Sequence, residues 1–271
     1  MKPEIEIFSL SLSTYGILAS VGLVLMGITA YILGRRNRIK FEDVLFGELF
    51  MLAGAFVGAH ILYGLTNLDR IGEYLDYCSR TGTNADWWEI VSVYFGGMVF
   101  YGGLIFALLF GVLYCRIRRI RVGDYADAFA PAIPLFHFFG RLGCFFSGCC
   151  YGMESPFGFT AENAIVPSCN HINRFPVQLF ESGLNLALFI VLLILFLKGI
   201  MKDKLIFVYL ISYSVIRFFD EFLRGDEYRG IYLGLSTSQW ISIFIFLTSA
   251  IILIKKYNRN KDVIIRGGDS V

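Results

Sequence analysis

Seven long apolar segments alternate with short polar segments along the chain. Each is about 18 to 25 residues long, which at 1.5 Å per residue suffices for an α-helix to cross the hydrocarbon layer. The pattern predicts an all-α membrane protein with about seven transmembrane helices in one polytopic domain, residues 1–271. The predicted helices are 9–34, 43–66, 90–115, 126–147, 177–198, 204–222 and 237–255.

The charged residues between these helices predict an orientation. Basic clusters alternate with segments poorer in basic residues, and basic loops remain on the cytoplasmic side. We therefore expect the N-terminus outside and the C-terminus in the cytoplasm, which requires an odd number of crossings. The basic clusters lie at 35–40, 116–121, 198–204 and 255–261, and the other segments at 67–89, 148–176 and 223–236.

Composition agrees with a membrane protein, since 56% of the 271 residues are hydrophobic and only 17% are charged. The net charge of +2 gives no reason to expect nucleic acid as a partner. The charged N-terminus, with Lys2 and Glu4, and the long first apolar segment favour an uncleaved anchor over a signal peptide. Three histidines and six cysteines without metal-ligand spacing predict neither a metal site nor a cofactor.

The third apolar segment contains four glycines, Gly96, Gly97, Gly102 and Gly103. Irregular backbone at membrane depth persists only where protein or a cavity covers it, and small residues allow close helix contact. The segment is therefore predicted to be broken or re-entrant, with tight packing of small residues and no cavity as the alternative.

Two arginines, Arg141 and Arg217, lie within apolar segments. Arginine in a membrane is costly, so it normally faces a polar interior with a partner. At helical spacing His137 shares a face with Arg141, and Glu221 shares one with Arg217. Guanidinium groups bind phosphate well, and phospholipid headgroups supply phosphate. The structural alternative is that Arg217 pairs only with Glu221 while Arg141 caps helix ends.

Other polar side chains in these segments have two interpretations each. His137 is either a general base or a hydrogen-bonded structural residue, and His60 is a weaker candidate of the same kind. Cys149 and Cys150 are either nucleophiles or small apolar fillers. Cys78 and Cys169 are either a disulfide or free thiols.

The segment Gly140 to Gly152, which reads GRLGCFFSGCCYG, resembles the signature of the prolipoprotein diacylglyceryl transferases. Further segments along nearly the whole chain are similar to family motifs in the corresponding helices. They are Tyr15-Gly16, GAHILY from Gly58, GMVFYGGL from Gly97, DAFAP from Asp127, PVQLFE from Pro176, RFFDEFLR from Arg217 and STSQ from Ser236.

The resemblance implies a bacterial inner-membrane enzyme that takes the diacylglyceryl group of phosphatidylglycerol and attaches it to the lipobox cysteine of a preprolipoprotein, releasing glycerol phosphate. Breaking the glyceryl carbon to phosphate oxygen bond requires stabilisation of the departing phosphate and deprotonation of the thiol. The implied catalytic residues are Arg141, Arg217, Tyr101 and His137. The implied substrate-binding residues are Tyr15, Gly102, Gly103, Gly140, Gly143, Ser147, Gly148, Gln178, Glu221 and Arg224.

The chain departs from the family pattern on the side of the site expected to activate the acceptor thiol. These departures remove a neutral-pH base and an acidic partner of an arginine, and His137 is one helical turn from Arg141 as a replacement imidazole. The family histidine is Tyr101, its two signature asparagines are Cys144 and Ser147, its glutamate is Cys149, and an early arginine is His60.

Three other interpretations of the sequence stay open. One keeps the lipid donor and changes the acceptor to a glycan, a glycolipid or another thiol. A second is a non-catalytic lipid-binding accessory protein, and a third is a transporter, because a polar cavity between helices has a similar pattern.

Overall fold

The computed structural model describes residues 1–7, 10–84, 86–225 and 231–268. Nine α-helices occur in these residues: α1 (Thr14–Gly34), α2 (Phe41–Thr66), α3 (Leu68–Thr81), α4 (Trp87–Phe95), α5 (Phe100–Ile117), α6 (Val122–Ser147), α7 (Val177–Leu197), α8 (Leu205–Asp220) and α9 (Thr237–Gly268). Short strands form three antiparallel pairs: β1 (Glu4–Ile7) with β2 (Leu10–Ser13), β3 (Glu154–Thr160) with β4 (Asn173–Arg174), and β5 (Ile231–Tyr232) with β6 (Leu235–Ser236).

Five of the described helices are long and apolar enough to cross a membrane, which makes the chain a multi-pass α-helical membrane protein. They are α1, α2, α6, α7 and the first part of α9, up to Asn258.

The predicted helix 204–222 is shorter in the structure, because α8 ends at Asp220 and the residues Glu221–Leu223 form a 3₁₀ turn. The predicted helix 9–34 begins only at Thr14, since residues 10–13 belong to the β1–β2 pair.

The predicted helix 90–115 is broken, as its glycines indicated. Helix α4 ends at Phe95, Gly96 and Gly97 follow, and α5 begins at Phe100 after an extended Val99. The Val99 N–H donates to the carbonyl oxygen of Ala59 at 3.0 Å, so the neighbouring helix α2 satisfies the backbone at the break. The polar segment before this region, expected as a loop, contains the additional helix α3.

The helices separate into two compact units, one of residues Gly34–Tyr125 and one of Met1–Leu33 with Ala126–Val271. In the first, α2 and α5 pack through glycines. A Cβ added to Gly102 would lie 2.2 Å from the carbonyl oxygen of Gly58, and one added to Gly58 would lie 2.3 Å from that of Gly102. The two backbones therefore touch at a point where no larger residue fits.

The second unit contains Arg141 and Arg217 and is organised around α6 to α9. Leu192 of α7 and Leu205 of α8 form its apolar core with Ala130 of α6. The buried carboxylate of Asp127 on α6 accepts hydrogen bonds from the backbone N–H groups of Asp203, Leu205 and Ile206, so it caps the start of α8. These contacts fix where α8 begins relative to α6, and thereby where its arginine lies.

Candidate functional site

Arg141 projects from α6 onto a carboxylate of α7. Its Nε lies 2.8 Å from Oε2 of Glu181, and the two side chains are 18% and 2% exposed. A buried guanidinium needs such a counter-charge, because desolvation of an unpaired charge costs several kcal/mol or more. The structural alternative proposed from sequence was wrong for this residue, since Arg141 pairs with Glu181 and does not cap a helix end.

Arg217, on α8, has two carboxylate partners. Its Nη2 lies 2.8 Å from Oε2 of Glu221, one helical turn further on, and its Nη1 lies 3.3 Å from Oδ2 of Asp220. Nη2 also donates to the hydroxyl of Ser238 at the start of α9, at 3.3 Å. The predicted pairing of Arg217 with Glu221 is therefore present, and Asp220 and Ser238 are further partners of the same guanidinium.

The two arginine sites meet through their carboxyl groups. Glu181 and Asp220 approach each other closely enough for a hydrogen bond between their side chains. Glu181 Oε1 and Asp220 Oδ1 have no donor among the described residues. Arg141, Glu181, Asp220 and Arg217 then form one continuous network across α6, α7 and α8.

His137 lies beside this network, one turn before Arg141. Its ring centroid is 4.8 Å from that of Tyr213, and it interacts electrostatically with Glu181 and Arg141. Its Nδ1 has no hydrogen-bond partner among the described residues. The imidazole is thus placed near both the arginine and the carboxylate, where a proton or a polar substrate group can be received.

Three cysteine thiols converge where α6 ends. The sulfur atoms of Cys144, Cys149 and Cys150 all lie within 4.8 Å of one another, and we call these residues the cysteine cluster. The chain reverses at Gly148, whose φ of +73° favours glycine. The N–H groups of Gly148 and Cys149 both donate to the carbonyl oxygen of Cys144, at 3.0 and 3.1 Å. This turn returns Cys149 to the helix end that carries Cys144.

The loop that carries the cluster is held from two sides. Gln178 of α7 donates from Nε2 to the carbonyl oxygen of Cys149 at 2.8 Å. On the other side, Gly152 forms an isolated β-bridge with Arg224, and the N–H of Gly225 donates to the carbonyl oxygen of Tyr151 at 3.0 Å. Gln178 and Arg224, both predicted to bind substrate, therefore also fix this loop.

The electrostatic surroundings favour a thiolate at Cys150, which lies beyond the end of α6. Hydrogen bonds from the thiols of Cys144 and Cys149 lower the pKa of Cys150, burial opposes them, and the positive charges of Arg224 and Arg141 lower the pKa further. All six cysteines of the chain are free thiols. The suggested disulfide between Cys78 and Cys169 is therefore not formed.

The remaining predicted residues of this unit lie around the same helix end. Tyr15 of α1 contacts Gly143, where an added Cβ would lie 3.0 Å from the Tyr15 ring, and it interacts electrostatically with the cysteine cluster. A Cβ on Gly140 would meet nothing within 4 Å. Ser147 is buried, and its hydroxyl has no partner among the described residues.

Three predicted residues belong to the other unit. Gly102 and Gly103 lie in the first turn of α5, and both face α2. The backbone of Tyr101 lies in the same turn, and its side chain is outside the described part of the structure. His60, on α2, packs edge-on against Phe56 with ring centroids 4.5 Å apart.

Sequence reasoning missed Glu181, the partner of Arg141, and Asp220, the second carboxylate partner of Arg217. Glu181 and Asp220 were quoted within family-like motifs and were not predicted as site residues. A signal was present for Glu181, because a carboxylate inside an apolar segment needs a cationic partner just as the arginines need an anionic one.

An apolar groove lies between two helices of this unit. Its volume is about 190 Å³, and it is lined by α8 and α9, including Phe218, Phe219 and Phe246. The hydroxyls of Ser214 and Ser242, which also line it, donate to carbonyl oxygens of their own helices. The groove therefore presents an apolar surface between α8 and α9.

Fold and site together define a multi-pass membrane protein with a buried arginine and carboxylate network beside a thiol cluster. Residues 4–255 match the family of prolipoprotein diacylglyceryl transferases. The chain belongs to this family.

Individual relatives cover nearly the full length of the chain. The phosphatidylglycerol–prolipoprotein diacylglyceryl transferase 2 of Clostridium perfringens is 32% identical over 261 residues, which are 94% of this chain and 94% of that protein. The transferase of Clostridium tetani is 31% identical over 251 residues, 90% of this chain and 93% of that protein. Transferase 1 of Clostridium perfringens is 25% identical over 262 residues, 94% of each chain.

The pairing of Arg141 with Glu181 predicts a strongly coupled stability effect. Arg141→Met or Glu181→Leu alone leaves one buried charge unpaired, and we expect each to lower the free energy of unfolding by about 3–5 kcal/mol. The double variant replaces the pair by apolar groups and should lose less than the sum. Denaturant unfolding in detergent micelles measures the coupling.

The exposed pair of Asp76 and Arg80, with side chains 55% and 77% exposed, supplies the control. Asp76→Ala should cost less than about 1 kcal/mol. Additive losses at Arg141 and Glu181 would contradict the coupling.

Proposed function

We propose that this chain transfers the diacylglyceryl group of phosphatidylglycerol to the lipobox cysteine of a preprolipoprotein and releases glycerol phosphate. The observation that carries the proposal is the family match over residues 4–255, joined to two buried arginines on neighbouring helices. The names of the relatives, which specify phosphatidylglycerol and prolipoprotein, support the same donor and acceptor.

The arginines suit the phosphate of the donor lipid. A guanidinium carries five N–H donors, so the contact of Arg141 with Glu181 through Nε leaves further donors for phosphate oxygens. The apolar groove of α8 and α9 includes Phe218, the residue after Arg217, and we assign it part of one acyl chain of the same lipid. With its phosphate near the arginines and an acyl chain in the groove, the donor lipid has a single orientation. Glu221 and Arg224 are proposed to lie beyond the phosphate.

The carboxyl groups between the arginines limit the charge of the site. Two guanidiniums face the three carboxyl groups of Glu181, Asp220 and Glu221, so the positive charge of the site is offset before a phosphate binds. Departure of glycerol phosphate adds negative charge at the arginines, and stabilising such developing charge is the usual role of preorganised donors. Tyr15, Ser147, Gly140, Gly143 and Gly148 are proposed to line the path of the transferred group, and His137 to lie next to it. Tyr101, Gly102 and Gly103, in the other unit, are proposed as further residues of the enzyme's substrate site on their match to a family motif alone.

A transfer assay tests this function. Purified protein in phosphatidylglycerol vesicles should increase the mass of a lipobox peptide by one diacylglyceryl group and release one equivalent of glycerol phosphate. The same peptide with serine in place of cysteine should not react. Glycerol phosphate release that requires a glycan or another thiol as acceptor would reject the preprolipoprotein acceptor, and saturable lipid binding without turnover would reject the enzyme.

Variants of the two arginines test the phosphate role. Arg141→Gln and Arg217→Gln should each lower the rate of glycerol phosphate release by about 10²- to 10³-fold, since each removes a charge-stabilising donor. Arg80→Gln, at an exposed arginine, is the matched control and should leave the rate unchanged. Full activity of both buried variants, folded to the same extent as the wild type, would rule out the clamp.

For topology we propose one polytopic domain with seven crossings of the bacterial inner membrane, with α5 and α8 as crossings in addition to the five longer helices. The basic clusters support an outer N-terminus and a cytoplasmic C-terminus. Reporter domains fused after residue 200 or 258 should be cytoplasmic, and one inserted after residue 163 should be outside. The opposite result at any of these positions would reject the orientation.

A further inference from the structure

The cysteine cluster has the donor set of a metal site with an open position. Three thiol sulfurs lie within 4.8 Å of one another, and thiolates at metal–sulfur distances of about 2.3 Å fit such a separation. Catalytic zinc sites typically have three protein ligands and a fourth position for water or substrate. Sulfur ligands select thiophilic ions such as Zn²⁺ over harder cations.

The cluster is also preorganised. The turn at Gly148 brings Cys149 back to Cys144, and a Cβ at Gly148 would lie 2.2 Å from Cβ of Ala164. Gln178 holds the carbonyl of Cys149, and Cys150 keeps a left-handed backbone with φ of +54°. A strained backbone in a doubly anchored loop is typical of functional sites. The sulfurs are thus brought together by the fold, without a disulfide.

Charge balance favours a metal at this position. Three thiolates and a divalent ion sum to one negative charge, and Arg141 and Arg224 both interact electrostatically with Cys150. Opposite charges close by offset the cost of burying the complex. The cluster also lies beside Arg141, where the donor phosphate is proposed to bind, so a sulfur on the open position would face the lipid.

The sequence adds a chemical reason. Transfer to a thiol requires a thiolate, and the histidine of the family pattern is Tyr101 in this chain. In the same chain two signature positions, the first asparagine and the glutamate, are Cys144 and Cys149. The chain thus lacks the histidine base of the family and carries two possible metal ligands at these signature positions. A metal ion that binds a thiol sulfur deprotonates the thiol outright.

We propose that Cys144, Cys149 and Cys150 bind a thiophilic divalent cation of the Zn²⁺ type, whose fourth position takes the acceptor cysteine as a thiolate. The inference rests on the proposed function for its second half, the binding of the acceptor. Binding breaks the S–H bond and releases the proton to water. The sulfur then attacks the glyceryl carbon, a C–S bond forms, the C–O bond to phosphate breaks, and its electron pair leaves on glycerol phosphate. No oxidation occurs.

Cobalt binding tests the site without reference to activity. Reduced, metal-free protein titrated with Co²⁺ should reach one equivalent with thiolate-to-cobalt charge-transfer absorption and the visible bands of a tetrahedral site. Cys149→Ala and Cys144→Ala should lose this spectrum. Cys169→Ala, a buried cysteine of the same unit outside the cluster, should keep it. A spectrum unchanged in the cluster variants, or absent in the wild type, would overturn the proposal.

A second measurement tests the open position. A lipobox peptide should shift the cobalt bands, and its serine counterpart should not; an identical spectrum with both would overturn acceptor binding. In the transfer assay, metal-free wild type should lose at least tenfold in rate and regain it with Zn²⁺. Transfer that persists in chelator and in Cys149→Ala overturns the inference and leaves the proposed function standing. Cobalt binding without transfer to any acceptor leaves the site standing and rejects the function.

Discussion

The burial of two guanidiniums among apolar helices is the constraint on which the rest of this structure depends. In a medium that solvates charge poorly, Arg141 and Arg217 are tolerable only with carboxylates at hydrogen-bond distance. Arg141 takes its carboxylate from α7, so this ion pair fixes α6 and α7 in register, whereas Arg217 pairs with carboxylates at the end of its own helix, α8. Displacing α6 or α7 along its axis by one residue, about 1.5 Å, would leave Arg141 and Glu181 unpaired.

The same ion pairs determine how an anion such as the proposed lipid phosphate can bind in the site. Because the carboxylates already offset the arginines, the network is nearly neutral, and a lipid phosphate has to compete for N–H donors that are partly occupied. A preorganised network of this kind holds donors in place before charge develops, which is where such donors contribute most to rate.

The apolar segments predicted most helix positions because length and hydrophobicity alone set the crossing of a membrane, and the glycines near Gly96 predicted the break between α4 and α5. Sequence could not give the partner of Arg141, since Glu181 is forty residues away and only the packing of α6 on α7 brings them together. The helix α3 was missed because its polar face resembles a loop in hydropathy. Sequence also could not show that Cys149 lies beside Cys144, because their contact depends on the turn at Gly148.

The departures from the family pattern are unevenly distributed, and this distribution bears on mechanism. The residues proposed to bind the lipid donor, Arg141 and Arg217, match family motifs, while two of the changed positions, Cys144 and Cys149, belong to the cysteine cluster that is proposed to bind the acceptor. If the protein had lost its activity, neither the donor-binding nor the acceptor-binding residues would be constrained. The buried arginines, which are costly to bury, would then be the first to be replaced by apolar residues. Their retention beside three converging thiols supports the proposal that the donor chemistry is kept while a metal-bound thiolate replaces the histidine base of the family.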